Sequence, residues 1–397
     1  MANQSIYTTA VHAGERAPRP NFTPVATPIY PSSSYIYDDF ATLDDIFAGA
    51  GSGPVYTRYG NPTNDALEAA VAALEGTEGA MSFASGMAAI HAALLAAGVG
   101  AGKTVVAAQD VYGATYALLN NLFRQQGVTT HFVDVADPDA VAATIAETRP
   151  VAVLAETISN PLLKVADLPR LAEMAHGVGA AFIADNTFAT PFLCRPAAVG
   201  ADFVVHSATK YLGGHGDVLG GVIACSAERR NVLFEIIKMT GGNLGPQEAW
   251  LTLRGLKTLP LRIERQCRNA AQLAGWLAGH GRISQVNFPG LADHPQHALA
   301  GRLLEGGHYG AMISFDLANG DRASVVRFMD ALRLIMPGTT LGDVYSLALY
   351  PAGSSHRGLT PEMRRQIGIG DGLVRLSVGI EAVEDLMADL DQALEAS

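Results

Sequence analysis

The sequence predicts an α/β protein with a mostly parallel central sheet, helices on both faces of that sheet and a smaller C-terminal α+β domain. Three observations support this fold class. The 397 residues exceed what one hydrophobic core usually supports, which favours two domains. Short apolar runs alternate with helical stretches through the middle of the chain, as they do in βαβ units. Hydrophobic residues make up 49% of the chain and charged residues only 16%, so we expect extensive buried surface.

Three segments follow from this pattern. Residues 1–60 are rich in Pro, Ser, Gly and Tyr and are predicted to form an extended arm with short helical pieces, one of them at 41–48. Residues 61–255 are predicted to form the α/β domain, and residues 256–397 the C-terminal domain. Predicted helices lie at 64–74, 87–97, 114–126, 168–178 and 322–331, and predicted strands at 104–107, 131–133, 151–156, 181–185, 203–206, 221–224 and 311–317. Gly245 and Pro246 should open a long helical region that runs to about residue 280 and bends at Pro260.

The composition argues against several classes of protein. A net charge of −11 makes nucleic acid and anionic membranes poor partners. Cys194, Cys225 and Cys267 show no CxxC spacing and no neighbouring histidine cluster, so neither a disulfide framework nor a metal site is predicted. No apolar stretch is long enough to cross a bilayer, and the first residues do not resemble a signal peptide. We therefore expect a cytoplasmic protein without a membrane partner.

The segment 97–104 fits a relaxed Walker A pattern but is predicted to be an ordinary turn. A nucleotide-binding loop follows a strand and opens a helix, whereas this segment follows a predicted helix and opens a predicted strand. Its N–H groups would therefore have no helix N-terminus from which to bind a phosphate.

A lysine and an aspartate stand at the ends of two separate predicted strands. Asp185 closes the run 181–185, and Lys210 follows the run 203–206. Charged groups are costly to bury at such positions unless a ligand meets them. A pyridoxal phosphate (PLP) site would use both, the lysine as the Schiff-base amine and the aspartate as the partner of the pyridinium nitrogen.

A phosphate group has a candidate site in the same part of the chain. Ser85, Gly86 and Met87 lead from a strand-like piece into a helix, and the first N–H groups of a helix bind anions well. An ordinary N-cap serine is the commoner meaning of this motif. Ser207 and Thr209, which flank the approach to the lysine, favour the phosphate interpretation.

Two aromatic motifs can be interpreted either as functional or as ordinary structural features. Tyr56 and Arg58 lie in the irregular arm, where they either reach a phosphate or belong to a surface loop. Tyr112 ends a strand and either stacks on a cofactor or packs in the core.

Polar side chains also end another predicted strand. Glu156 closes the strand at 151–156, and Asn160 follows it. Because the carboxyl ends of parallel strands face the ligand crevice, these residues should share one rim with Asp185 and the lysine. Arg375 lies in an apolar stretch of the C-terminal domain. It is either a structural salt-bridge partner or, in an amino-acid enzyme, the bidentate clamp for a substrate carboxylate.

These motifs together resemble the PLP-dependent Cys/Met-metabolism (transsulfuration) family of fold type I. That family includes cystathionine γ-synthase and γ-lyase, methionine γ-lyase and the O-acylhomoserine sulfhydrylases. The matching pieces follow the family order along nearly the whole chain. They are Thr9-Ala10-Val11-His12-Ala13-Gly14, Tyr56-x-Arg58-x-x-Asn61-Pro62-Thr63, Ser85-Gly86-Met87, Asp185-Asn186-Thr187-Phe188, His206-Ser207-Ala208-Thr209-Lys210-Tyr211, Leu341-Gly342-Asp343 and Arg375-Leu376-Ser377-Val378-Gly379-Ile380-Glu381.

The resemblance implies a role for each site residue. PLP would form a Schiff base with Lys210, Asp185 would keep the pyridine nitrogen protonated, and Tyr112 would stack on the ring and assist proton transfer. Within one subunit the phosphate would be bound by Ser85, Gly86, Met87, Ser207 and Thr209. Tyr56 and Arg58 would complete that site from the neighbouring subunit, which implies a homodimer with shared active sites and, by analogy with the family, a tetramer. The residues on the substrate side would be Asn160, Thr340 and Arg375.

The resemblance also implies chemistry at Cγ of a small amino acid. The leading expectation is γ-elimination from a methionine- or homoserine-type substrate, which yields 2-oxobutanoate and ammonia. The alternatives are γ-replacement on O-acetyl- or O-succinylhomoserine, a fold type I aminotransferase, and a non-catalytic PLP-binding protein. Cystathionine-handling members tend to carry a glutamate before each of the Tyr-x-Arg and Ser-Leu-Gly motifs, where this chain has Val55 and Thr339. Ala114 replaces a cysteine that is usual in methionine γ-lyases, so the leaving group stays open.

Overall fold

In the computed structural model, which describes residues 5–14, 23–358 and 360–397, two β-sheets organise the chain. The strands of the larger sheet are β1 Gly79–Phe83, β2 Thr104–Ala108, β3 Thr129–Val133, β4 Ala152–Glu156, β5 Ala181–Asp185, β6 Phe203–Ser207 and β7 Gly221–Cys225. The strands of the smaller sheet are β8 Ile283–Asn287, β9 Met312–Leu317, β10 Met336–Pro337, β11 Leu347–Leu349 and β12 Leu373–Ser377.

The helices surround these sheets and fill the connections between strands. They are α1 Ile6–His12, α2 Phe40–Phe47, α3 Pro62–Glu75, α4 Gly86–Ala96, α5 Gly113–Ala117, α6 Pro138–Thr148, α7 Leu168–Gly177, α8 Thr190–Leu193, α9 Ala227–Thr240, α10 Pro246–Leu256, α11 Leu259–Ala278, α12 His297–Leu303, α13 Arg322–Ala331, α14 Pro361–Gln366 and α15 Val383–Glu395. Short helical turns occur at Thr57–Tyr59, Leu118–Phe123, Pro196–Val199, Glu305–Gly307 and Pro351–Gly353.

The larger sheet has the strand order β1-β7-β6-β5-β4-β2-β3. The five strands from β6 to β3 are parallel, and β7 runs antiparallel to both of its neighbours. The smaller sheet has the order β10-β11-β12-β9-β8 and is antiparallel except for the pair β10 and β11. The predicted fold class, a mostly parallel central sheet with a smaller C-terminal α+β part, is therefore confirmed.

Each central strand contributes alternate residues to two cores on opposite faces of the larger sheet. On β6, Val204 packs into the core that includes α3 and α7, whereas Val205 packs into the core that includes α4 and α9. This burial on both faces explains why the strands are nearly continuous apolar runs rather than alternating ones. A third core under the smaller sheet includes Phe315, Phe328 and Leu386.

The long helical region predicted to bend at Pro260 is instead two helices. α10 ends at Leu256, and α11 begins at Leu259 with Pro260 in its first turn. A proline ring clashes with the carbonyl four residues before it, here that of Leu256, and lacks an N–H of its own. At the start of a helix neither property matters, because the first N–H groups have no intrahelical partner. The proline therefore begins a new helix instead of bending an existing one.

The segment with the Walker A pattern lies between α4 and β2, in the helix-to-strand context that the sequence predicts. No helix within the described ranges is long and apolar enough to cross a membrane.

Candidate active site

The carboxyl ends of three neighbouring parallel strands form one wall of a cavity of about 480 Å³. Glu156, Asp185 and Ser207 are the last residues of β4, β5 and β6, and Lys210 lies in the turn that follows β6. The opposite wall belongs to the C-terminal residues, which include Arg375 on β12. A cavity of this size suits a cofactor together with a small substrate.

Lys210 extends its amine toward the C-terminal wall. Its Nζ donates a hydrogen bond to Thr340 Oγ1 at 2.9 Å. Burial, and secondly the positive charge of Arg375, lower the pKa of Lys210. A lowered pKa makes the neutral amine more accessible, and the neutral amine is the form that attacks a carbonyl or accepts a proton.

Asp185 is fixed by a threonine two residues further along the chain. Its Oδ1 accepts hydrogen bonds from Thr187 N at 3.0 Å and from Thr187 Oγ1 at 2.5 Å. Burial raises the pKa of Asp185, while the two bonds from Thr187 lower it. Thr187 Oγ1 also accepts a hydrogen bond from Ser207 N at 2.9 Å, so this one hydroxyl couples the ends of β5 and β6.

The N-terminus of α4 faces the same wall. Ser85 caps the helix by accepting a hydrogen bond from Ala88 N at 3.1 Å, and Gly86 and Met87 are the first helical residues, whose N–H groups have no intrahelical partner. A Cβ on Gly86 would lie only 2.9 Å from Ser207 Cβ, so glycine is required for this close approach. Free N–H groups and a serine hydroxyl therefore converge on one point, as an anion site demands.

Thr209 completes the polar surface beside the lysine. Its Oγ1 accepts a hydrogen bond from Gly220 N at 3.0 Å and lies 3.3 Å from Gly220 O. Both Thr209 and Ser207 line the cavity, as the sequence predicts for the phosphate side.

Arg375 is buried, and its hydrogen-bond partners among the described residues are neutral oxygens. Nη1 donates to Asn160 Oδ1 at 2.9 Å and Nη2 donates to Thr340 O at 3.2 Å. Within the part of the chain that the structure describes, Nε has no hydrogen-bond partner and no carboxylate forms a salt bridge with this guanidinium. Burial lowers the pKa of Arg375 to about 10. A buried cation without an anionic partner favours the carboxylate-clamp interpretation over the structural salt bridge.

Tyr112 lines the cavity and has 45% of its surface exposed. The alternative prediction, that this residue packs in the core, is therefore wrong. Its backbone N–H donates to Glu156 Oε1 at 2.5 Å. The loop that carries the tyrosine ring is thereby tied to the end of β4.

Tyr56 and Arg58 are not in the cavity of their own chain. Arg58 donates a hydrogen bond to Lys238 O, and its guanidinium lies 5.2 Å from the Tyr56 ring and 4.9 Å from the Tyr59 ring. Tyr56 has 42% of its surface exposed. The single chain thus leaves these two residues outside the site.

Sequence reasoning assigned no role to several residues at this site. Thr187 was visible in a matched motif, but its contacts depend on how β5 and β6 pair. Ser354 and Ser355 line the cavity from a loop after β11, and no local sequence signal identifies them.

The residues present fit PLP in kind and number. An amine, an aspartate held as a hydrogen-bond acceptor and an anion site lie on one wall, and an unpaired guanidinium faces them. These are the groups that the aldehyde, the pyridine nitrogen and the phosphate of PLP and the carboxylate of an amino acid require. The fold and the site define a PLP-dependent enzyme of fold type I.

Comparison with known proteins identifies the family. The family model described as Cys/Met metabolism PLP-dependent enzyme matches residues 7–395. L-methionine gamma-lyase of Fusobacterium nucleatum subsp. nucleatum is 42% identical over 398 residues, which covers 100% of this chain and 99% of the relative. Cystathionine gamma-lyase of Bacillus subtilis is 42% identical over 372 residues, which is 94% of each chain. The solved structure of cystathionine gamma synthase from Xanthomonas oryzae pv. oryzae in complex with aminoacrylate and cysteine has a TM-score of 0.92 at 41% identity and covers 99% of this chain and 98% of that chain.

The chain therefore belongs to the Cys/Met metabolism family of PLP-dependent enzymes, and its cofactor is pyridoxal 5′-phosphate bound as a Schiff base. The predicted family and cofactor are confirmed. Since the relatives carry three different names at about the same identity, the family alone does not decide which reaction the enzyme catalyses.

Proposed function

We propose that the enzyme catalyses γ-elimination on a methionine- or homoserine-type amino acid. With methionine and water as reactants, the products are 2-oxobutanoate, ammonia and methanethiol. The observation that carries this proposal is the distribution of charge around the cavity. Among the described residues, the two carboxylates that line it, those of Glu156 and Asp185, both lie at strand ends on the cofactor side. The opposite end, formed by Thr339, Leu349 and Ser355 among others, presents no carboxylate within the described residues.

A neutral wall suits a neutral γ-substituent. Cystathionine carries a second ammonium group at its far end, and a buried ammonium group needs an anionic partner. Thr339 occupies one of the two positions where an acid would be expected for such a substrate, and Val55 occupies the other.

Each residue of the site has a separate role in the proposed reaction. Arg375, together with Asn160, holds the substrate carboxylate and so orients Cα toward the lysine. Lys210 Nζ removes the proton from Cα, and Tyr112 assists the later proton transfers at the open side of the cavity. Bound PLP supplies the electron sink for the charge that develops at Cα. Asp185 keeps that sink effective by holding the proton on the pyridine nitrogen.

The second candidate is γ-replacement on O-acetyl- or O-succinylhomoserine by sulfide or a thiol. It is favoured by the TM-score of 0.92 to the cystathionine gamma synthase of X. oryzae pv. oryzae. The two reactions share the steps up to departure of the γ-group and differ in whether a thiol then adds to Cγ.

A substrate panel separates these candidates. Purified holoenzyme is given L-methionine, L-homocysteine, O-acetylhomoserine, O-succinylhomoserine, L-cystathionine and L-canavanine, each with and without added thiol, and 2-oxobutanoate and ammonia are measured. We expect 2-oxobutanoate from methionine or homocysteine without thiol. Turnover of acylated homoserine alone, and only with thiol, would contradict the lead proposal and support replacement. The Lys210→Ala protein measures the background of uncatalysed breakdown, and canavanine reports whether a non-sulfur γ-group also leaves.

We also infer that the active unit is at least a dimer in which Tyr56 and Arg58 of one subunit complete the phosphate site of the other. The arm that carries them exposes large apolar side chains, with Val25 at 79%, Ile36 at 97% and Phe40 at 77%. Such exposure around a polar motif is typical of a surface that another subunit covers. A tetramer and a cytoplasmic location stay predictions from the sequence.

Mixed dimers test the shared site. Subunits with Arg58→Ala and subunits with Lys210→Ala are co-expressed with different tags, and dimers that carry both tags are isolated. One site of such a dimer keeps both wild-type residues and the other lacks both, so we expect about half of the wild-type activity per dimer. Each variant alone should be impaired at every site. Mixed dimers no more active than the Arg58→Ala parent would show that the arginine serves its own subunit.

A further inference from the structure

Glu156 is a buried carboxyl group at the centre of the strand-end wall, and the proposed reaction does not use it. It is the last residue of β4 and the direct register partner of Asp185 on β5. Only 9% of its surface is exposed, and it lines the cavity. A carboxyl group in this position requires a physical reason, because burying it is costly.

The contacts of Glu156 join two loops of the active site. Its Oε1 accepts the backbone N–H of Tyr112 at 2.5 Å, which fixes the start of the loop after β2. The backbone N–H of Asn160, on the loop after β4, interacts with the same carboxyl group and lowers its pKa. The loop that carries the Tyr112 ring is therefore hydrogen-bonded to Glu156, and the loop whose amide contacts Arg375 interacts with the same carboxyl group.

The electrostatic surroundings of the two paired carboxyl groups differ. Thr187 donates two hydrogen bonds to Asp185, and these stabilise the aspartate as an anion. Burial, and secondly the negative charge of Asp185, raise the pKa of Glu156 well above its usual range, although the backbone N–H groups of Tyr112 and Asn160 act in the opposite direction. Asp110 adds a further raising effect, although Lys164 Nζ lies 4.0 Å from Asp110 Oδ2 and offsets that charge. The pKa of Glu156 is thus raised more strongly than that of Asp185, which favours the glutamate as the protonated member of the pair.

We propose that Glu156 is a positioning residue, a neutral carboxyl group that anchors the Tyr112 loop over the cofactor and leaves Asp185 as the single negative charge beside the pyridine ring. Two anions at these adjacent strand ends would repel each other and compete for the proton of the pyridine nitrogen. A neutral acceptor at position 156 keeps the hydrogen bond to the loop without adding that second charge. The inference rests on the roles proposed for Tyr112 and Asp185, and it is independent of which γ-group leaves.

Glutamine and alanine at position 156 separate the two properties of the side chain. Glu156→Gln keeps a neutral acceptor of the same shape, so we expect kcat within about threefold of wild type and an unchanged circular dichroism band of the bound cofactor. Glu156→Ala leaves the Tyr112 N–H without its acceptor, and we expect kcat to fall roughly 10- to 100-fold. The cofactor dichroism band should change in the alanine protein because the ring above the cofactor is no longer held. The dissociation constant of PLP is measured by fluorescence titration of each apoprotein.

One control variant and two contradicting outcomes make the result decisive. Glu147→Gln, at an exposed position near the end of α6, should leave every readout unchanged. If Glu156→Gln loses as much activity as Glu156→Ala, the negative charge of the glutamate is required and the proposal is wrong. If Glu156→Ala keeps the dichroism band and kcat per bound cofactor but melts at a lower temperature, the residue is only structural, which also overturns the proposal. A failure of the proposed γ-elimination would appear in the substrate panel and would leave the dichroism comparison intact.

Discussion

Replacing Lys210 with alanine is expected to lower kcat by roughly 10²- to 10⁴-fold and to abolish the absorption band of the covalently bound cofactor. Among the residues described around the cavity, Lys210 alone carries an amine. Its hydrogen bond to Thr340 holds the amine in the cavity, and its lowered pKa makes the neutral form more accessible, as the proposed roles of holding the cofactor and receiving the Cα proton require. Steady-state kinetics and the absorption spectrum of the purified protein measure the two effects independently.

Two controls accompany this prediction. Lys103→Ala changes an exposed lysine in the turn with the Walker A pattern, and we expect it to leave both kcat and the spectrum unchanged. A small primary amine added to the Lys210→Ala protein should restore part of the turnover, because it replaces the missing proton acceptor. A Lys210→Ala protein with normal kcat would refute the assignment of the site.

Asp185→Asn is expected to reduce kcat by about 10²- to 10³-fold while the cofactor still binds. A neutral amide cannot stabilise a proton on the pyridine nitrogen, so the electron sink weakens although the shape of the site is kept. The hydrogen bonds from Thr187 hold Asp185 in place, so a change of charge at this position is a change of chemistry more than of structure. The measurement compares kcat and the cofactor spectrum of the variant with those of the wild type.

A cofactor with a permanent charge provides the matched test for Asp185. Asp185→Ala opens space at the nitrogen, and PLP methylated on that nitrogen is positive without any protein partner. The methylated cofactor should raise the activity of Asp185→Ala above its activity with ordinary PLP, and it should not help the wild type. Equal activity of Asp185→Asn and wild type would exclude the proposed role of the aspartate.

Much of the fold was predictable because burial on both faces leaves a clear pattern in the sequence. The run 181–185 was predicted with the bounds of β5, and the helix at 322–331 with the bounds of α13. The antiparallel direction of β7 was not predictable, since its residues are as apolar as those of its parallel neighbours. Pro260 was misinterpreted because a proline within a helical pattern is compatible with a bend or with a new helix, and the choice depends on the packing of α10 and α11.

The candidate site was predictable where the chemistry follows from a position at the end of a strand. Asp185 and Ser207 each close a parallel strand, and the geometry of such sheets brings them to one rim. The contacts between strand ends could not be predicted from the sequence. The hydroxyl of Thr187 reaches both Asp185 and Ser207 only because β5 and β6 are adjacent in the sheet. The position of Ser354 at the cavity could not be predicted either, since no repeating sequence pattern indicates the conformation of an irregular loop.

If Arg375 binds the substrate carboxylate as proposed, its guanidinium separates affinity from selectivity. Every amino-acid substrate has an α-carboxylate. The buried guanidinium of Arg375 can therefore contribute a similar binding energy to each of these substrates. Residues at the far end of the cavity can then differ between relatives without loss of the contact between Arg375 and the substrate carboxylate. A few substitutions around Thr339 or Ser355 could change which bond is cleaved while the fold and the first steps stay the same. Such an arrangement is consistent with relatives of similar identity that carry different names.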